Sequence, residues 1–179
     1  EIAVGSTIGM QYTAPWGAVT TASVQLADPS ATALAFTDFV TEGGVPSAEE
    51  LNAQLSIYFA TYFDAMNQRD ASLLSACTDA HREALAADIA SDAHAGTLYV
   101  MGTAECNPAA VKSTLIDGAP FVSCYVKCVY QQVDRESNEQ TDMTAYAVCR
   151  FAWADGWKLE SRADSTEEAF AAASPDALP

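Results

Sequence analysis

A run of aromatic and β-branched residues interrupted once by Asp155-Gly156 limits most strongly what this chain can fold into. It occupies residues 146–162, with the sequence YAVCRFAWADGWKLESR. Residues of this type on both sides of an aspartate-glycine pair predict two antiparallel strands, at 143–153 and 157–163. The two strands must therefore be joined by a tight hairpin.

The length of the hairpin loop decides which side chains share a face. A two-residue turn would set Phe151 against Glu160 and would mix apolar and charged side chains on one face. A three-residue loop over 154–156 keeps one face apolar, so we prefer it. Its register pairs Trp153 with Trp157, Phe151 with Leu159, and Cys149 with Ser161. The loop requires a left-handed conformation at Gly156, which glycine adopts without steric cost.

The middle of the chain is predicted to be helical. Ser47 and Glu50 form a capping box, and a helix is expected over 48–68. Its apolar residues recur at helical spacing: Leu51, Leu55, Tyr58, Phe59, Tyr62, Phe63 and Met66. Asp70 is expected to cap the next segment, and one or two further helices follow to about residue 91.

Three more strands are expected between this helical section and the hairpin, at 97–105, 109–116 and 120–133. Helices followed by a run of strands make the fold class α+β. We divide the chain into an extended N-terminal arm and linker (1–45), a main domain (46–164), and a short C-terminal helix and tail (165–179). A second capping box, Ser165 to Glu168, predicts that short helix.

The charge balance argues against two kinds of direct partner, nucleic acids and anionic membranes. The chain has 24 acidic and 8 basic residues and a net charge of −16, with no Lys or Arg before Arg69. Nucleic acids are bound by clustered basic residues, and anionic membranes repel acidic proteins, so we expect neither as a direct partner. The uncharged run 2–27 is interrupted by polar residues, Pro15 and several glycines, so it is neither a membrane span nor a signal peptide. Together with the absence of an initiator Met, this composition leads us to expect a processed, extracytoplasmic bacterial protein.

The spacing of the five cysteines does not predict a metal site. Cys124 and Cys128 lie four residues apart on one predicted strand, which separates them by about 13 Å. That distance is too long for a disulfide or for shared zinc ligation. Cys149 on the neighbouring strand is close enough to pair with one of them, although buried free thiols are the simpler interpretation. We expect no metal and no cofactor.

At this point the chain resembles the nuclear transport factor 2-like superfamily, which includes ketosteroid isomerase, scytalone dehydratase and polyketide cyclases. The resemblance spans about 47–164 and rests on element order: a long amphipathic helix, the segment NQRDASLLSACTDA, a strand meander, and DGWKLES in the last hairpin. It implies a cone, in which a curved antiparallel sheet wraps around a long N-terminal helix. Residues 1–45 lie outside it.

The resemblance also suggests where chemistry would occur. Isomerase-like members use a tyrosine from the first helix and carboxylates from the strands; Tyr58 or Tyr62 matches the tyrosine. The stretches 118–133 and 143–154 contain no Asp or Glu, so isomerase activity is not expected. Dehydratase-like and cyclase-like members use histidine for acid–base work, for which His81 is the best candidate, with Tyr58 or Tyr62 as its partner.

We therefore expect a non-catalytic domain that binds a small apolar ligand or a protein partner. The expected ligand pocket contains Tyr58, Tyr62, Met66, Tyr130, Phe151 and Trp153, although aromatic residues at these positions also suit a packed core. A dehydratase- or cyclase-type enzyme with His81 as general base is the first alternative. A structural module is the second, dimeric through a sheet face that carries Tyr125, Lys127, Tyr146 and Arg150, since Tyr and Arg are enriched at interfaces.

Overall fold

A long helix packed on a four-stranded antiparallel sheet forms the body of the protein. The computed structural model describes Val40, residues 44–153 and residues 156–179, so nearly all of the expected arm 1–45 lies outside the described residues. The helices are α1 (Ala48–Gln68), α2 (Asp79–Ile89) and α3 (Glu167–Ala171). The strands are β1 (Thr97–Ile116), β2 (Ala119–Asp134), β3 (Gln140–Trp153) and β4 (Trp157–Asp164), and they lie side by side in that order. The expected α+β class, with a curved sheet around a long helix, is confirmed.

Helix α1 forms as its sequence predicts. The Ser47 hydroxyl accepts a hydrogen bond from the Glu50 amide at 3.1 Å, and two glutamates occupy the first turn, where the helix dipole favours negative charge. The helix ends at Arg69, whose left-handed backbone lets its amide bond the carbonyls of the last turn. Its buried face packs on the inner face of the sheet through Leu51, Leu55, Tyr58, Phe59, Phe63, Ala65 and Met66.

The segment between α1 and the sheet is held by a series of side-chain caps. Asp70 accepts a hydrogen bond from the Ser72 amide at 3.0 Å and begins a short 3-10 turn, as predicted. Thr78 caps α2 by accepting from the His81 amide at 3.2 Å. Between these caps, Cys77 forms a parallel bridge with Leu159, so this connection covers the edge of β4. As a result α2, with His81 in its first turn, is fixed against the end of the sheet.

Strand β1 corrects the prediction of two separate strands at 97–105 and 109–116. It is one edge strand whose pairing with β2 is interrupted at Gly102 and again between Cys106 and Val111. A Cβ at Gly102 would lie 2.5 Å from the Val129 carbonyl oxygen, so the first irregularity depends on glycine. The second contains Pro108, which an edge strand tolerates at a bulge.

The hairpin between β3 and β4 confirms two of the three predicted pairs. Trp153 lies opposite Trp157 and Phe151 opposite Leu159, and Gly156 has the expected positive φ of 113°. The third pair, Cys149 with Ser161, is wrong. Cys149 lies opposite Arg162, because Glu160 is an extra residue that bulges out of β4.

The C-terminal segment covers the outer face of the sheet. The expected short helix is present as α3, but its cap is Thr166 and not Ser165. The Ser165 amide is bonded to the Tyr146 carbonyl at 2.9 Å, which keeps Ser165 in the sheet. Beyond α3 the tail runs back over the strands, and Leu178 is buried with Ala110 and Tyr125 in a second apolar cluster.

All five cysteines are free and buried. The register of the sheet places Cys124 opposite Cys149, and Cys128 opposite Ala145. Burial raises the pKa of the Cys128 and Cys149 thiols to about 12, which makes them poor nucleophiles. Within the described segments, none of the helices combines the length and apolar character needed to cross a bilayer.

Candidate ligand-binding site

A half-buried arginine, Arg162, is the centre of the site. The bulge at Glu160 turns the Arg162 side chain of β4 to the inner face of the sheet, toward α1. Its guanidinium carbon lies 4.4 Å from the ring centroid of Tyr62, 5.8 Å from that of Tyr58 and 5.7 Å from that of Phe59. Aromatic faces attract cations at these distances, and the attraction is stronger where water is excluded.

A chain of hydrogen bonds leads from Arg162 to His81. Arg162 Nη1 donates to the Tyr58 hydroxyl at 3.2 Å, and that hydroxyl lies 2.7 Å from His81 Nε2. A guanidinium is a donor only, so the Tyr58 oxygen accepts from it and the Tyr58 proton is directed to Nε2. We assign the tautomer from this geometry: His81 accepts at Nε2 and carries its own proton on Nδ1.

The pKa values of the two partners support this assignment. Burial, followed by the positive charge of Arg162, lowers the pKa of His81 from 6.5 to about 4. Burial raises the pKa of the Tyr58 hydroxyl well above its usual value. At neutral pH, His81 is therefore neutral and Tyr58 keeps its proton, so the hydrogen-bond chain contains one net charge, that of Arg162.

Among the described residues, the two other half-buried arginines each pair with a carboxylate. Arg150 is paired with Glu160 at 2.8 Å and Arg82 with Asp79 at 2.7 Å. Within the described ranges, no ion pair includes Arg162. A charge taken out of water without a counter-ion costs several kcal/mol, which aromatic faces and hydroxyls offset in part.

A cavity of about 130 Å³ lies next to Arg162, between α1 and the inner face of β2, β3 and β4. Its wall is mostly apolar and aromatic, with one cation and one carboxylate. The lining residues are Phe59, Tyr62, Phe63, Met66, Val126, Cys128, Tyr130, Ala145, Tyr146, Ala147, Arg162 and Asp164. Asp164 is exposed, so the carboxylate lies on the solvent side of the wall.

The six residues expected to line a pocket divide into two groups. Tyr62, Met66 and Tyr130 lie on the cavity wall. Tyr58 is fully buried behind the wall, where it bonds Arg162 and stacks on Tyr62. Phe151 is fully buried in the core, and Trp153 packs edge-to-face on Trp157 with centroids 5.3 Å apart. The last two residues are therefore part of the core beside the hairpin, as the alternative interpretation of these aromatics proposed.

The four residues expected at an interface lie on the outer face, where the chain's own C-terminal segment packs. Tyr125 is buried with Leu178, and the Tyr146 ring lies 5.7 Å from that of Phe170. Arg150 donates two hydrogen bonds to Glu160 and lies over the Phe121 ring at 5.0 Å. Lys127, opposite Tyr146, is half-buried.

Sequence reasoning missed Arg162. Regular alternation from Leu159 places Ser161 inside and Arg162 outside, and a bulge at Glu160 has no glycine or proline to mark it. One signal was available in the sequence: Arg150 and Glu160 are opposite charges on two strands already assigned to one hairpin. Within the described part of the chain, no cluster of His, Cys, Asp and Glu could hold a metal ion.

Comparison with known proteins does not identify a family. No protein-family model matches the chain, and no curated protein matches it. Among solved structures, the intermembrane space region of chloroplast protein ARC6 is similar, with 16% sequence identity and a TM-score of 0.48. The match covers 68% of this chain and 99% of that one. A likeness at this level assigns neither a family nor a function.

Proposed function

We propose that this protein is a non-catalytic, ligand-binding domain of the nuclear transport factor 2-like type, which holds a small apolar molecule between α1 and the sheet. The observation that carries the proposal is the 130 Å³ cavity with aromatic walls. An apolar cavity of about 150 Å³ is sufficient to bind benzene, so a group with the size of one aromatic ring fits here. The order of elements, helix first and then a four-strand meander, supports the superfamily assignment.

The arrangement of polar groups supports binding over catalysis. His81 is not among the described residues that line the cavity, and its Nε2 is hydrogen-bonded to the Tyr58 hydroxyl. A general base must reach the proton that it removes, and its pKa should lie near the working pH. With a pKa of about 4 and Tyr58 and Arg162 between it and the cavity, His81 meets neither condition.

Blocking the cavity tests the proposal. Ala145 lines the cavity and is exposed, so Ala145→Phe fills the space without disturbing the buried core. Ala163→Phe is the matched control, because Ala163 is also exposed on the sheet but does not line the cavity. We expect benzyl alcohol, a neutral probe, to shift the NMR signals of cavity residues in the parent and in Ala163→Phe, but not in Ala145→Phe. Equal responses in the two variants would place the binding elsewhere and refute the proposal.

The dehydratase- or cyclase-type alternative is favoured by one observation, the 2.7 Å contact between Tyr58 and His81. For this pair to act on a ligand, Arg162 would have to move and let the ligand reach Tyr58. The alternative therefore predicts chemical conversion of a bound cyclic alcohol or ketone that His81→Gln abolishes. Binding without conversion supports the non-catalytic role.

The dimer and the extracytoplasmic location remain proposals with their own tests. A dimer through Tyr125 and Tyr146 would have to displace the C-terminal segment, so deletion of residues 165–179 should promote it in sedimentation experiments. The strongly acidic composition supports an extracytoplasmic location. Recovery of the protein from the cytoplasmic fraction of its source cells would contradict that location.

A further inference from the structure

We propose that the natural ligand is a small monocarboxylate, and that Arg162 binds its carboxylate while the aromatic walls hold its apolar part. This inference rests on the proposed function, because it names the chemical class of molecule that enters the same cavity. It follows from three properties of the site: a half-buried cation that no described residue pairs with, a cavity of limited size, and an exposed carboxylate on the cavity wall.

The first property is the charge of Arg162. Arg162 lines the cavity, and no ion pair within the described chain neutralises its guanidinium. A guanidinium has five N–H donors in a planar fork that matches a carboxylate with two parallel hydrogen bonds. Tyr58 accepts a hydrogen bond from it and the Tyr62 ring lies 4.4 Å away, which leaves donors for a ligand. A ligand carboxylate would supply the counter-ion that the described residues do not provide.

The hydrogen-bond chain behind Arg162 preserves this capacity. Because His81 is neutral, it adds no second positive charge and accepts the Tyr58 proton. Tyr58 therefore presents an oxygen to Arg162, which fixes the guanidinium without neutralising it. An aspartate at position 58 or 81 would have formed an ion pair and removed the attraction for an anion.

The second and third properties restrict the ligand to a single negative charge. A cavity of 130 Å³ is close to the size that holds one aromatic ring, so it has no room for a large polyanion. Asp164 lies on the same wall and is exposed, and the chain carries a net charge of −16. Both repel anions, and the repulsion grows with ligand charge, so a phosphate dianion is disfavoured relative to a carboxylate.

Three probes of nearly equal shape separate charge from shape. Benzoate is an anion, benzamide is its neutral analogue, and benzamidine is a cation. Their affinities are measured by NMR titration of the full chain at fixed low ionic strength, since salt weakens such contacts. We expect benzoate to bind about tenfold or more tightly than benzamide, in line with a charge-assisted hydrogen bond pair, and benzamidine to bind most weakly.

Two variants each remove one charge of the site: the first removes a positive charge and the second a negative one. Arg162→Met retains a long apolar side chain and should abolish the preference for benzoate over benzamide. Asp164→Asn removes the carboxylate at the entrance and should tighten benzoate binding by about two- to fivefold, which corresponds to an exposed charge contact. Asp164 is exposed, so this second variant is expected to fold even if Arg162→Met does not.

The outcomes separate this inference from the proposed function. If benzamide binds as tightly as benzoate, or Asp164→Asn weakens benzoate, the carboxylate inference is overturned while the ligand-binding proposal stands. If no probe binds, including benzyl alcohol, the ligand-binding proposal fails and the inference fails with it. A preference for benzoate that Asp164→Asn increases supports both.

Discussion

Acidification should destabilise this protein through His81 in a measurable way. The folded pKa of His81 is about 4, against 6.5 for an unperturbed histidine. The unfolded chain therefore binds more protons than the folded one between these two pH values, so stability falls as the pH drops through this window and levels off below about pH 4. Between about pH 7 and pH 4.5, this one group accounts for at most about 2.5 kcal/mol of unfolding free energy.

The chain allows a direct assay because it contains two histidines. In His94→Gln the one remaining imidazole is that of His81, so its NMR titration gives the pKa without an assignment problem. Urea unfolding of His94→Gln and of the double variant His94→Gln/His81→Gln, at both pH values, then gives the free-energy difference. Glutamine at position 81 keeps an acceptor, Oε1, for the Tyr58 proton. Subtraction removes the titration of carboxyls such as Glu160, whose pKa is lowered by its hydrogen bonds to Arg150.

The expected result is a titration near pH 4 and a loss of stability on acidification that is smaller in the double variant. A His81 titration at pH 6 or above would show that the imidazole is solvated and that Arg162 exerts little field on it. An equal loss in both variants would show that His81 is not responsible. Either result would refute the description of the hydrogen-bond chain given above.

Three further predictions concern the scaffold. Gly102→Ala should lower the unfolding free energy by about 1–3 kcal/mol in urea titrations, because its Cβ would meet the Val129 carbonyl; Gly96→Ala, with open space around it, should not lower it. Asn67→Ala should lower the unfolding free energy by about 2 kcal/mol, because the Asn67 side chain bonds both the amide and the carbonyl of Tyr99, at 2.8 and 2.9 Å. A decrease below about 0.5 kcal/mol, roughly that of an ordinary surface substitution, would contradict this. The five thiols should react with a disulfide reagent much more slowly in the native protein than in urea, since all are buried, and rapid native labelling of several of them would contradict that.

Much of the fold was predictable from local sequence signals. The capping box at Ser47 and the apolar spacing after it gave α1 its correct start and end at 48–68. Residue types along the last two strands, together with Gly156, gave the hairpin and its first two pairs. These features depend on residues close in sequence, so short-range patterns describe them fully.

The candidate site was less predictable because it depends on long-range registers. Three of the residues expected in a pocket, Tyr62, Met66 and Tyr130, line the cavity, since helix and strand faces follow from periodicity. The extra residue in β4 reverses the periodicity beyond it, and so Cys149 was paired with Ser161 and the inward position of Arg162 was missed. Covering of the outer face by residues 165–179 was also missed, because short segments packed on a distant strand leave no periodic signal.

The bulge at Glu160 determines which side chains of β4 beyond it face the inside of the sheet. The ion pair between Arg150 and Glu160 lies on the outside of the sheet. It holds β4 in the bulged register against β3. If β4 slipped into regular pairing, Ser161 would enter the cone and Arg162 would leave it, with every pocket residue on the other strands unchanged. Substitutions on the outer surface of the hairpin would therefore change which β4 side chain faces the cavity, with the rest of the pocket wall intact. For the same reason, two homologous sequences with the same pocket residues would place Arg162 on different faces if only one of them kept the bulge.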